Sequence, residues 1–83
     1  MADGKIVKNV VEYIVTEIVE DSKAVKVDLR QDTDSSVTIE VRTADQDMGR
    51  VIGKRGRVAR AIRIVAQAAA EEEGLSSSVE FID

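Results

Sequence analysis

The chain contains no cysteine, no histidine, no tryptophan and no proline, and its only aromatic residues are Tyr13 and Phe81. Each absence removes a class of chemistry. Without cysteine there is no disulfide, no zinc–thiolate site and no thiol nucleophile. Without histidine the commonest general base and metal ligand is missing. With two aromatic rings the chain lacks the stacking platforms that many nucleic-acid binders place under exposed bases. No apolar run approaches the ~18 residues of a membrane span. The segment Met1-Ala2-Asp3-Gly4-Lys5 lacks the charged and apolar regions of a signal peptide. A soluble, cytoplasmic protein is expected. No base, nucleophile and oxyanion donor converge in the sequence, so no catalytic residues, metal ligands, cofactor or small-molecule substrate are expected.

What is present fits one small globular domain. The 83 residues are 43% hydrophobic, too apolar for disorder. A chain of this length buries only about 60% of its unfolded surface, so modest stability is expected. The net charge is −4, which looks wrong for binding a polyanion, but its distribution matters more than its sum. From Arg50 to Arg63 every charged residue is basic, whereas the acidic residues crowd the rest of the chain. One basic patch sits on an acidic body.

Hydrophobic periodicity predicts a helix over about 4–20, with Ile6, Val7, Val10, Ile14 and Ile18 on one face. Val11, Val15 and Val19 widen that face, either as deep core or as a partner surface. Two alternating segments, about 24–30 and 36–42, flank the turn-forming cluster Asp32–Ser36 and predict a hairpin with one buried face. Thr43 and Gln46 have capping-box spacing for a short helix carrying Met48, Val51 and Ile52. Gly49 inside that helix suggests close approach of another backbone, and Gly53 is placed to end it. A third helix is expected over about 57–73, with Val58, Ala61, Ile62, Val65 and Ala69 on one face and Arg57, Arg60, Arg63 and Gln67 opposite. Gly74 is a plausible stop, and 79–82 reads as a last short strand. The order α-β-β-α-α-β predicts an α+β domain. Its three-stranded mixed sheet should have 36–42 at the centre and three helices packed on one face.

The most informative run is Gly49-Arg50-Val51-Ile52-Gly53-Lys54-Arg55-Gly56-Arg57. Glycines at 53 and 56 let the backbone turn sharply and approach a ligand. A helix starting just beyond would aim N–H groups at phosphate. Lys54 and Arg55 sit at the tip, and Arg50, Arg57 and Arg60 could extend the positive track. Val51 and Ile52 offer apolar surface for bases. The spacing is not that of a P-loop, because Gly49 and Gly53 are three residues apart and Lys54 precedes Arg55 instead of Ser or Thr.

With its G-x-x-G loop between two short helices, this pattern resembles a type II KH domain over nearly the whole chain. A helix-and-strand extension at about 4–31 would precede a minimal KH unit at about 36–83. The size and the run from Gly49 to Arg57 are similar to those of the small bacterial single-KH proteins of the KhpA family. The resemblance implies a clamp on the backbone of single-stranded RNA, spanning about four nucleotides, in an RNA chaperone or post-transcriptional regulator. It further implies a homodimer, or a heterodimer with a second KH-containing protein (KhpB-like), and a link to cell-shape and envelope regulation. With one short, aromatic-poor groove, recognition should be weak and broad, and pairing two modules would raise affinity through effective concentration. Ile64, beside the polar face of the third helix, is the favoured interface, with Val11, Val15 and Val19 as its rival. The alternative is a protein–protein interaction module whose helices dock a partner, with RNA binding incidental.

Overall fold

The computed structural model describes residues 3–83. The elements are α1 (Lys5–Ile18), a 3-10 turn (Ser22–Ala24), β1 (Lys26–Thr33), β2 (Ser36–Arg42), α2 (Asp45–Ile52), a second 3-10 turn (Lys54–Gly56), α3 (Arg57–Glu72) and β3 (Ser76–Phe81). The sheet order is β1-β2-β3. β1 pairs antiparallel with β2, and β2 pairs parallel with β3 after the crossover through α2 and α3. The expected element order, mixed sheet and central strand are all present.

Alternation makes the sheet two-sided. Val27, Val37, Ile39, Val41 and Val79 are buried beneath the helices. The opposite face is polar and neutralises itself. Arg30 donates to Asp32 and to Glu40, each at 2.9 Å, and Arg42 lies 3.5 Å from Asp28. Thr38 donates to Asp32. That hydrogen bond, followed by the Arg30 contact, holds the Asp32 carboxyl below the usual aspartate range. β1 runs three residues further than the sequence suggests, to Thr33, because a register irregularity between Gln31 and Thr33 lets the hairpin close through Asp34 and Ser35.

The helical layer corrects two expectations. Val7, Val11 and Val15 form the deepest stripe of α1, each 0% exposed, so they are core and not a partner surface. Full burial of each contributes roughly 1.5–3 kcal/mol. Ile6, expected on that face, is instead exposed. On α3 the buried face is Ala59, Ile62, Ala66 and Ala70, while Ala61 and Val65 are exposed. Alanine lets α3 lie close over the sheet, so the bulkier Val58 and Val65 are turned toward α1. There Ile14, Ile18, Val58, Ala61, Ile62 and Val65 line an apolar depression of about 150 Å³.

α3 stops as Gly74 takes a positive φ of 74° and Leu75 N–H returns to Ala70 C=O at 2.8 Å, with Leu75 buried. The outer edge of β3 is then covered by α3. Gln67 Oε1 accepts from Ser77 N–H at 2.9 Å. Four residues earlier, Arg63 Nε donates to Val79 C=O at 3.1 Å, with its guanidinium 5.3 Å from the centre of the Phe81 ring.

Candidate nucleic-acid interface

α2 carries the loop. Its apolar residues Met48 and Val51 are buried against the body. Thr43 does not cap it. Ala44 occupies the N-cap position without a side-chain hydrogen bond, and Thr43 Oγ1 turns to Ala44 C=O. The carboxylate that matters is Asp47, which is fully buried. It accepts from Glu20 N–H at 3.1 Å and from Asp21 N–H at 3.0 Å, on separate oxygens. The Asp21 and then the Glu20 hydrogen bond hold its carboxyl below the usual aspartate range, against the opposing effect of burial. The helical spacing gave a signal for this residue, since Asp47 and Val51 are four apart and share a face. A charged residue on an apolar stripe is the pattern of a buried, hydrogen-bonded group.

At Gly53 the backbone leaves the helix at φ 77°, ψ 169°, and its N–H donates to Gly49 C=O at 2.9 Å. This backbone region is essentially restricted to glycine. A Cβ at this position would also lie 2.5 Å from Val58 Cγ2 and 2.8 Å from Val58 N. Glycine is thus required here so that the first turn of α3 can close over the end of α2. Arg55 (φ 58°, ψ 25°) and Gly56 (φ 73°, ψ 17°) follow in left-handed conformation. For Arg55 that costs on the order of 1 kcal/mol. Nothing lies within 4 Å of a Cβ built on Gly56. The same is true of Gly49, which is exposed and packs against no other backbone, contrary to expectation.

The turn uses its own amides. Gly56 N–H donates to Gly53 C=O at 3.0 Å, and Arg57 N–H donates to Lys54 C=O. The N–H groups of Gly53 and Gly56, expected to face phosphate, are therefore both engaged within the chain. Lys54, Arg55, Arg57 and Arg60 are exposed and make no ion pair or side-chain hydrogen bond among the described residues. Arg50 differs, being held by Glu20 at 2.9 Å in an exposed pair worth at most about 1 kcal/mol. Arg63 is committed to β3 and leaves the track.

The apolar pair divides. Val51 is 0% exposed and supports the loop from beneath, whereas Ile52 is 37% exposed and presents surface beside it. Ile52, Lys54, Arg55, Arg57 and Arg60 are thus exposed on the turn and on the helix ends that flank it, around the half-buried Gly53 and Gly56. Arg50 joins them through an ion pair that a phosphate could replace. Among the described residues no cluster of acidic side chains is arranged to hold a metal ion, and no helix is long and apolar enough to cross a membrane.

Residues 8–81 match the family model for the KhpA/KhpB KH domain. The chain is 40% identical over 75 residues to the RNA-binding protein KhpA of Clostridium perfringens, covering 90% of this chain and 99% of that protein. With the RNA-binding protein KhpA of Borreliella burgdorferi it shares 34% identity over 73 residues, 88% of each chain. A more local match, 49% over 49 residues, joins it to the RNA-binding protein KhpA of Clostridium acetobutylicum. That match covers 59% of this chain and 65% of the relative. No solved structure matches the chain significantly.

Proposed function

The chain belongs to the KhpA/KhpB KH-domain family, and from that membership we propose that it binds single-stranded RNA by clamping the backbone at Lys54 and Arg55. The observation that carries this reading is a pair of cations on a strained left-handed turn that, like Arg57 and Arg60 beside them, have no ion-pair partner among the described residues. A turn held open at a backbone cost, with no internal partner for its charges, fits a ligand clamp. Lys54 and Arg55 neutralise phosphates over about four nucleotides. Arg57 and Arg60 extend the track, and Arg50 joins when phosphate displaces Glu20. Ile52 gives the bases an apolar contact while Val51 fixes the helix below. With no ring at this end, discrimination among bases is weak and broad.

In the cell this activity is that of a cytoplasmic RNA chaperone or post-transcriptional regulator. A link to cell shape and envelope rests on the family resemblance alone. The test is Lys54→Asp with Arg55→Asp, titrated with fluorescent single-stranded RNA. Binding should be lost while circular dichroism and melting stay near wild type, because both side chains are on the surface. Undiminished binding would overturn the reading.

Assembly belongs to the same proposal. The protein works as a homodimer or beside a second, KhpB-like KH protein, because two short grooves gain affinity that one lacks. The outer face of α3 supports this, with Ile64 64% exposed and Val65 44% exposed next to the apolar depression. Ile64→Asp should weaken self-association and apparent RNA affinity together, as read by sedimentation over a concentration series. The same face favours the second reading, a protein-docking module. Partner binding that survives charge reversal at Lys54 and Arg55 would select it.

A further inference from the structure

We infer that Asp47 is a positioning residue for the RNA clamp, setting where the turn after α2 stands relative to the body. The inference rests on the RNA-binding reading above. α2 has eight residues, too few for a helix to hold itself in water, and Gly49 weakens it further. Its placement therefore depends on tertiary anchors. Met48 and Val51 bury apolar surface, but that attraction is non-directional and tolerates rotation or sliding. The carboxylate of Asp47 supplies direction. Its two oxygens accept from two consecutive N–H groups, Glu20 at 3.1 Å and Asp21 at 3.0 Å, where the chain leaves α1. Two bonds from consecutive backbone N–H groups to one planar group fix α2 against rotation about its axis. Gly53 follows six residues later, roughly 9 Å along the helix, so the orientation set at Asp47 is passed directly to Lys54 and Arg55. A buried charge is a costly way to fill space when an apolar side chain would pack there. Its placement at the seam that carries the loop matches a geometric role.

The test compares Asp47→Asn with Val79→Ala, a buried β3 substitution far along the chain from α2. Both are titrated with fluorescein-labelled oligouridine at a temperature where each is fully folded, and the amide resonances of Lys54 and Arg55 are followed by NMR. Asp47→Asn keeps the shape but turns one acceptor into a donor facing an N–H. It should weaken RNA binding roughly fivefold to tenfold and shift both loop resonances. Val79→Ala should lower the melting temperature and leave affinity and loop resonances unchanged. Where Asp47→Asn does not fold, Asp47→Ser, which keeps one acceptor and leaves room for water, replaces it with the same expected outcome. Wild-type affinity in the Asp47 variant would overturn the inference, as would an equal loss in Val79→Ala. Titrating the Lys54/Arg55 double reversal alongside separates the two readings. If that protein still binds, the RNA reading has failed. If it does not bind while the Asp47 variant binds normally, only the positioning role has failed.

Discussion

Arginine is paired in one region of this molecule and left without a carboxylate in another, among the described residues. On the open face of the sheet, Arg30 is spent on Asp32 and Glu40, and Arg42 on Asp28. At the turn beyond α2 and along the start of α3, Arg55, Arg57 and Arg60 meet no carboxylate among the described residues. On the sheet face positive charge is cancelled within the fold, and at the turn it is left without a carboxylate among the described residues. The net charge of −4 averages over both regions and describes neither. A free phosphate chain approaching the sheet finds occupied guanidinium groups set among acids. At the loop, Lys54, Arg55, Arg57 and Arg60 have no carboxylate partner among the described residues.

The sharpest way to break this contrast is to exchange the two regions' fates. Reversing Lys54 and Arg55 to aspartate should reduce single-stranded RNA affinity by at least about tenfold, since it removes phosphate contacts and adds repulsion. Arg30→Ala with Arg42→Ala should leave affinity within about twofold of wild type, because exposed paired charges contribute little. Filter-binding or anisotropy titrations at fixed salt compare the two, and an equal loss in both would erase the distinction.

Within the loop the two glycines invite the same treatment. Gly53→Ala should destabilise the domain by more than about 2 kcal/mol, combining a glycine-only backbone with the collision against Val58. Gly56→Ala, with open space around it, should cost only about 1 kcal/mol of left-handed strain. Urea denaturation of the two variants measures the difference, and equal midpoints would show that Val58 yields freely.

Salt sharpens the comparison further. Contact with about four phosphates implies a log–log slope near −3 for a single strand. The slope should remain in the sheet double mutant, whereas the loop double mutant should show no binding whose salt dependence could be followed. The smallest expected effect is a gain. Glu20→Ala releases Arg50 and should tighten RNA binding about twofold, with no change in the sheet-face variants' behaviour. A weakened affinity would mean that the Glu20 side chain helps to hold α2 in place.

Much of this arrangement was legible in the residues. The strands announced themselves by alternation at Val37, Ile39 and Val41, and the basic run from Arg50 onward marked the exposed end. What escaped was set by packing. The expected stripe of Val58, Ala61, Ile62, Val65 and Ala69 placed Ile62 correctly, but Ala59, Ala66 and Ala70 join it on the buried face while Ala61 and Val65 are exposed; alanine permits close approach to the sheet, which apolar spacing alone does not reveal. Val11, Val15 and Val19 presented two readings; Val11 and Val15 are fully buried in the core, and Val19, just past the end of α1, is half-buried against it. Arg57, Arg60 and Arg63 share spacing and charge, yet Arg63 alone reaches a strand carbonyl, a distinction that needs the third dimension. The capping pattern at Thr43 and Gln46 is local and gives way to Asp47, whose partners Glu20 and Asp21 lie 27 and 26 residues away.

The covered rim of β3 restricts how copies of this chain can meet. A bare strand edge accepts any extended peptide and can template a ladder without end. Gln67 and Arg63 take up the Ser77 amide and the Val79 carbonyl on that rim, and the opposite rim, β1, carries Lys26, Asp28, Arg30 and Asp32 along its length. Polymerisation through main-chain zippering is thereby discouraged on both flanks. A chain with both strand rims so occupied meets its neighbours through side chains and not through an extended backbone ladder.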